Sequence, residues 1–143
     1  MRGKKLIVSE SAIINASPAK IWEVIRSFDG VERYIPMVLK SEINGNHAGC
    51  ERRCNIRLGP NQTANLVERL DSIDDNTRTL KYSIIDAPPP FPGLKGEVKV
   101  SDHEGKSKVV WSGDMPNSDK ETSMTLSAIY KMALDGLKKL TED

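Results

Sequence analysis

Residues 118–140, SDKETSMTLSAIYKMALDGLKKL, form a long stretch of helical period at the end of the chain, and what it has to cover decides the fold. Asp119 or Ser118 can cap its free N–H groups. Met124, Ala128, Ile129, Met132, Ala133, Gly136, Leu137 and Leu140 mark a broad apolar stripe, with Lys131, Lys138 and Lys139 on the other side.

Upstream of this helix the texture is that of strands separated by turn signals. Strands are expected over 38–44, 50–58, 63–73, 79–86, 94–102 and 107–115, broken by Gly, Pro, Asn and Asp clusters. Six such runs at short spacing, with no helix between them, predict an antiparallel meander. Before them, residues 5–14 read as a first strand. Ser17-Pro18 then opens a helix, because serine caps it and proline fits its first position. Ile21, Trp22, Val24, Ile25 and Phe28 give that helix one apolar side, and Asp29-Gly30 breaks it. A further short turn of helix fits between Val31 and Pro36. The expected order is β-α-α-β-β-β-β-β-β-α, an α+β class in one domain over 1–143.

One face of a twisted antiparallel sheet must be covered, and the long terminal helix is the element left to do it. A sheet of seven strands is too wide for one helix, so it must curl around it. The chain has seven aromatic residues, and Ala128, Ala133, Gly136, Gly96 and Gly113 are small. Small residues either leave a cavity or allow close packing. The functional expectation is an internal pocket of about 300–1,000 Å³. Met37, Met115, Met124 and Met132 are expected along its wall, where flexible thioethers adapt well.

Charge excludes some classes. With 21 Lys plus Arg against 20 Asp plus Glu, the formal balance of +1 argues against nucleic-acid binding, which needs several phosphate contacts. The basic start, Met1 to Lys5, is followed by too few apolar residues for a signal peptide, and no run reaches membrane-spanning length. A cytoplasmic protein without integral membrane association is expected. Cys50 and Cys54 share a strand face about 13 Å apart, too far for a disulfide, and read as small half-buried side chains. His47 and His103 fall in turns, so neither a metal site nor a cofactor is expected.

The stretch from Ile13 through Ser17-Pro18 to Ile25 resembles the strand-to-helix signature of the START-like, or SRPBCC, superfamily. Asp29 to Pro36, Gly49 to Arg53, Val67-Glu68-Arg69, Tyr82-Ser83-Ile84, Lys108 to Ser112 and Gly136 to Leu140 continue the match. The branch it is most similar to is the polyketide cyclase/dehydrase and lipid-transport-like group. The resemblance implies a helix-grip fold, a seven-stranded curved sheet around a long C-terminal helix with a ligand cavity between them. It also implies an entrance at two loops. Leu58 to Gln62 corresponds to the gate of hormone-receptor relatives, and Ala87 to Gly93 lies beside it, with Phe91 as an apolar tip on a stiff proline arm.

Catalytic constellations are not apparent. The chain has no Gly-x-Ser-x-Gly elbow, no phosphate loop and no metal-ligand spacing. Glu68 shares a strand face with Leu66 and Leu70, Tyr82 with Leu80 and Ile84, and Trp111 with Val109 and Gly113. Glu68 and Tyr82 are the candidates for acid/base roles, while the alternative for Glu68 is pairing with an arginine, Arg53 or Arg57. The expected ligand-binding set is Leu66, Glu68, Tyr82, Ile84, Phe91, Val98, Trp111, Met124, Ala128, Ile129, Met132 and Gly136. The function expected is binding of a small apolar or amphipathic ligand such as a lipid, fatty acid or aromatic, polyketide-like metabolite. The alternatives are a cyclase- or dehydratase-like enzyme and a protein-interaction module with a filled interior. Oligomeric state, monomer or dimer, stays open.

Overall fold

Ser17 and Pro18 fix where the first strand gives way to the first helix. In the computed structural model, which describes residues 6–89, 91–116 and 119–142, strand β1 (Leu6–Ile14) runs into helix α1 (Pro18–Arg26). The Ser17 side chain accepts a hydrogen bond from the Lys20 N–H at 3.2 Å, and proline takes the first turn. Ile21, Trp22 and Ile25 form the buried side of α1. At its far end the Asn46 side chain donates to the Arg26 and Ser27 carbonyls, both at 2.9 Å, satisfying groups the helix leaves open. The expected second helix is a single 3-10 turn, Val31–Arg33. Gly30 enters it with φ of 64°, a conformation glycine adopts without steric cost.

Six strands follow: β2 (Val38–Ile43), β3 (Glu51–Gly59), β4 (Gln62–Asp74), β5 (Thr79–Asp86), β6 (Lys95–His103) and β7 (Lys106–Met115). They form one antiparallel sheet in the order β1-β7-β6-β5-β4-β3-β2, so the first strand closes against the last. Register shifts in the pairings of β2, β3 and β4 mark irregularities of the kind that bend strands. The architecture is the helix-grip α+β fold expected from the sequence.

Helix α2 (Lys120–Thr141) is capped by Asp119, whose carboxylate accepts from the Thr122 N–H at 2.8 Å; Ser118, the other expected cap, lies outside the described residues. Its buried face is Leu126, Tyr130, Ala133, Leu134, Leu137 and Thr141. Ala133 and Leu137 are buried as expected, but most of the rest of the expected stripe is corrected in phase. Met124 is 63% exposed and Met132 43%, and Ala128 and Leu140 also face solvent. The helix carries apolar side chains around more than half its circumference, so periodicity alone does not say which side turns inward. Burial favours the side richest in large branched and aromatic residues.

Gly136 has a different job from the one expected. A Cβ there would lie 1.9 Å from the Tyr34 carbonyl oxygen, so glycine lets α2 close onto the end of the 3-10 turn. Among the described residues, no helix is long and apolar enough to cross a membrane.

Candidate functional site

Between the concave sheet and α2 lies a cavity of about 90 Å³. Its lining comes from the 3-10 turn and the segment after it (Val31, Ile35, Met37), from β2 to β5 (Val38, Arg52, Cys54, Ile56, Leu66, Glu68, Tyr82, Ile84), from Phe91 and Trp111, and from Ile129, Tyr130 and Ala133 of α2. Wider hollows elsewhere carry charged side chains such as Asp74, Asp75, Lys81 and Lys99 and lie on the outside.

Seven of the expected ligand-binding residues meet at this cavity: Leu66, Glu68, Tyr82, Ile84, Phe91, Trp111 and Ile129. Val98 is buried in the core, paired with Leu80 and Trp111 in the sheet, outside the lining. Met124, Ala128 and Met132 stand on the outer face of α2, and Gly136 packs on Tyr34. Of the methionines expected along the wall, Met37 lines it and Met115 is buried away from it.

The cavity is smaller than the expected range, and the reason is local. Four of the chain's aromatic residues, Tyr82, Phe91, Trp111 and Tyr130, gather in the lining. Trp111 stacks with Tyr130 at 5.8 Å between ring centroids and meets Tyr34 at 6.4 Å. Gly96 and Gly113, which sit opposite each other on β6 and β7, make room for this cluster. A Cβ on Gly96 would fall 2.2 Å from the Tyr82 ring, and one on Gly113 would fall 2.1 Å from the Tyr130 hydroxyl. These glycines admit tyrosines rather than open space.

A buried ion pair crosses the wall. Arg52 donates from Nε to Glu68 Oε1 at 2.7 Å, with both side chains less than a tenth exposed. The two residues are direct cross-strand partners on β3 and β4, whereas Arg53 and Arg57, the partners expected for Glu68, are exposed. Strand parity supplied the missed signal: Arg52 lies midway between Cys50 and Cys54 and so shares their inward face. Arg52 also donates from Nη1 to the Phe28 carbonyl at 3.3 Å and lies 4.0 Å above the Phe28 ring. Burial works against its charge, but its neighbours together, Glu68 foremost, outweigh this and hold Arg52 firmly protonated.

The other polar groups stay neutral. The Cys54 thiol, 3.8 Å from Glu68 Oε1, is pushed up to about 12 by burial and by that carboxylate. Burial also raises the hydroxyls of Tyr34, Tyr82 and Tyr130. The Glu68 charge adds to this at Tyr82, and the adjacent Tyr82 adds to it at Tyr130. Trp111 Nε1–H donates to the Tyr82 oxygen at 3.0 Å. Tyr130 lies beside Tyr82, yet its hydroxyl makes no well-formed hydrogen bond. The site therefore presents protonated donors and one neutralised ion pair, an arrangement suited to holding a ligand more than to moving protons.

A curled antiparallel sheet gripping a long helix, with a largely apolar cavity between them, defines the helix-grip class. The chain belongs to the polyketide cyclase/dehydrase and lipid transport family, whose model matches residues 5–142. It is similar to the abscisic acid receptor PYL1 of Arabidopsis thaliana, with 26% identity over 144 residues covering 90% of this chain and 64% of the receptor. The abscisic acid receptor PYL2 of the same plant is 28% identical over 137 residues, covering 87% of this chain and 71% of the receptor. The chain thus spans a little under two thirds of the length of PYL1. Among solved structures, the protein XoxI of Bacillus cereus matches with a TM-score of 0.81 at 26% identity, covering 94% of each chain. Ara h 8.0201 matches with a TM-score of 0.81 at 17% identity, covering 96% of this chain and 97% of its own, and shares the fold.

Proposed function

We propose that this protein takes a small apolar or amphipathic molecule into the space between sheet and α2. The observation that carries the reading is the lining between sheet and helix, apolar except for a few polar groups, as ligand sites generally are. The receptors it resembles are named for a small-molecule hormone, which supports the same reading. At about 90 Å³ the cavity is smaller than an ordinary small-molecule site. A ligand of ordinary size then requires lining side chains to move aside, and the flexible side chain of Met37 suits that movement. Acid/base roles for Glu68 and Tyr82 draw less support, because Arg52 occupies Glu68 and Tyr82 holds its proton tightly.

Native mass spectrometry of freshly purified protein, with displacement of a fluorescent lipid, tests this. A co-purifying small molecule or saturable displacement is expected. A bare protein that no apolar probe enters would refute it.

A further inference from the structure

The lining poses a donor problem. Two phenol hydroxyls, Tyr82 and Tyr130, sit side by side, and the oxygen of Tyr82 already accepts from Trp111 Nε1–H. Each hydroxyl carries one proton. Whichever way these are turned, the pair can use only one proton between its own oxygens. The other has no acceptor among the described residues, and the Tyr130 hydroxyl is the buried polar group left without a partner. Tyr130 is only 3% exposed, and leaving such a donor unmade is costly.

Charge in the lining points the same way. Among the described residues, Arg52 and Glu68 are its charged members, and they neutralise each other at 2.7 Å. Arg52 is further tied to the Phe28 carbonyl and ring, and Glu68 also faces the Cys54 thiol. An anionic ligand would bring a second negative charge beside Glu68 with no free cation to meet it. A pure hydrocarbon would fit the apolar walls but leave the tyrosine donor unmet.

Building on the proposed ligand-binding role, we infer that the cavity selects an uncharged ligand with an acceptor oxygen, a ketone being the simplest case, which takes its hydrogen bond from Tyr130. On binding, Tyr82, which accepts from Trp111, turns its own proton to the Tyr130 oxygen, and Tyr130 donates to the ligand. Such chains polarise their members and strengthen the terminal donor.

The test uses two matched sets of probes at neutral pH: acetophenone, ethylbenzene and benzoate, then 2-acetylnaphthalene, 2-ethylnaphthalene and 2-naphthoate. Titration calorimetry on the wild type and on Tyr130→Phe gives the ratio of ketone to hydrocarbon affinity in each. That ratio is expected to fall about fivefold in the variant, the size of one ordinary hydrogen bond, with the carboxylates the weakest binders throughout. An unchanged ratio, or carboxylates binding as tightly as ketones, overturns the inference while leaving a ligand site standing. Failure of all six probes to bind removes the ligand-binding reading as well. A measurement on the wild type alone guards against a variant that does not fold. The carbonyl stretch of bound, 13C-labelled 2-acetylnaphthalene should lie below its position in hexane, and a hexane-like frequency contradicts the hydrogen bond.

Discussion

The chain has two tryptophans, both 5% exposed, and their surroundings divide the molecule into a closed end and an unfinished centre. Trp22, on α1, donates its indole N–H to Asp75 at 2.8 Å, and Arg26 donates to the same carboxylate at 2.8 Å. Around it Ser107 reaches the Ala16 carbonyl at 2.7 Å, and Asn46 covers the end of α1. Donors and acceptors close on one another there. Trp111, by contrast, donates to Tyr82, and the Tyr130 hydroxyl beside that pair has no well-formed partner. Native interiors rarely leave such groups unmet, so the centre of the fold is where a second molecule would complete the bonding.

The largest expected effect comes from breaking the ion pair in the central wall. Arg52→Met leaves Glu68 buried without a counter-charge and should cost about 3–5 kcal/mol in urea unfolding. A loss below about 1 kcal/mol would mean that the pair is solvated. The two faces of α2 offer the next contrast. Leu137→Ala, at a site with 0% exposure, should cost about 2–5 kcal/mol, while Met132→Ala should stay within about 0.5 kcal/mol. Equal costs would put the helix back in the phase expected from its methionines.

Smaller and of opposite sign is Tyr130→Phe in the ligand-free protein. Removing an unpaired hydroxyl should raise stability by about 1 kcal/mol, and a clear loss would show that the hydroxyl has a partner. The smallest effect belongs to the closed end. Hydrogen bonds from Arg26 and then Trp22 hold the Asp75 carboxyl below its ordinary range. Its contribution is therefore present above about pH 4 and is lost as pH falls through the lowered value. The melting temperature of Asp75→Asn should lie slightly below wild type at neutral pH, and the gap should close in acid. A gap independent of pH would contradict the pairing.

How far these features could be read in advance depended on their range. Ser17-Pro18 and the glycine- and proline-marked turns act within a few residues, so the order of elements was legible. Parity along a strand placed Glu68, Tyr82 and Trp111 inward, and the same parity applied from Cys54 would have placed Arg52. The phase of α2 was not legible, because Met124, Ala128, Met132 and Leu140 form a stripe as regular as the buried Leu126, Tyr130 and Leu137. Which stripe turns inward depends on the curl of β1 and β7 against the helix. Cavity size was hidden for a similar reason. Seven aromatic residues in 143 is a thin supply, but their number does not say that four converge on one space. Gly96 and Gly113 read equally well as emptiness or as a seat for a ring.

Because the chain has only two indole N–H groups, an 15N-resolved titration with an uncharged apolar ketone reports on both regions at once. An interior site predicts a saturable shift of the Trp111 indole resonance with that of Trp22 unmoved. Saturable binding that shifts Trp22 instead, or leaves both in place, contradicts it.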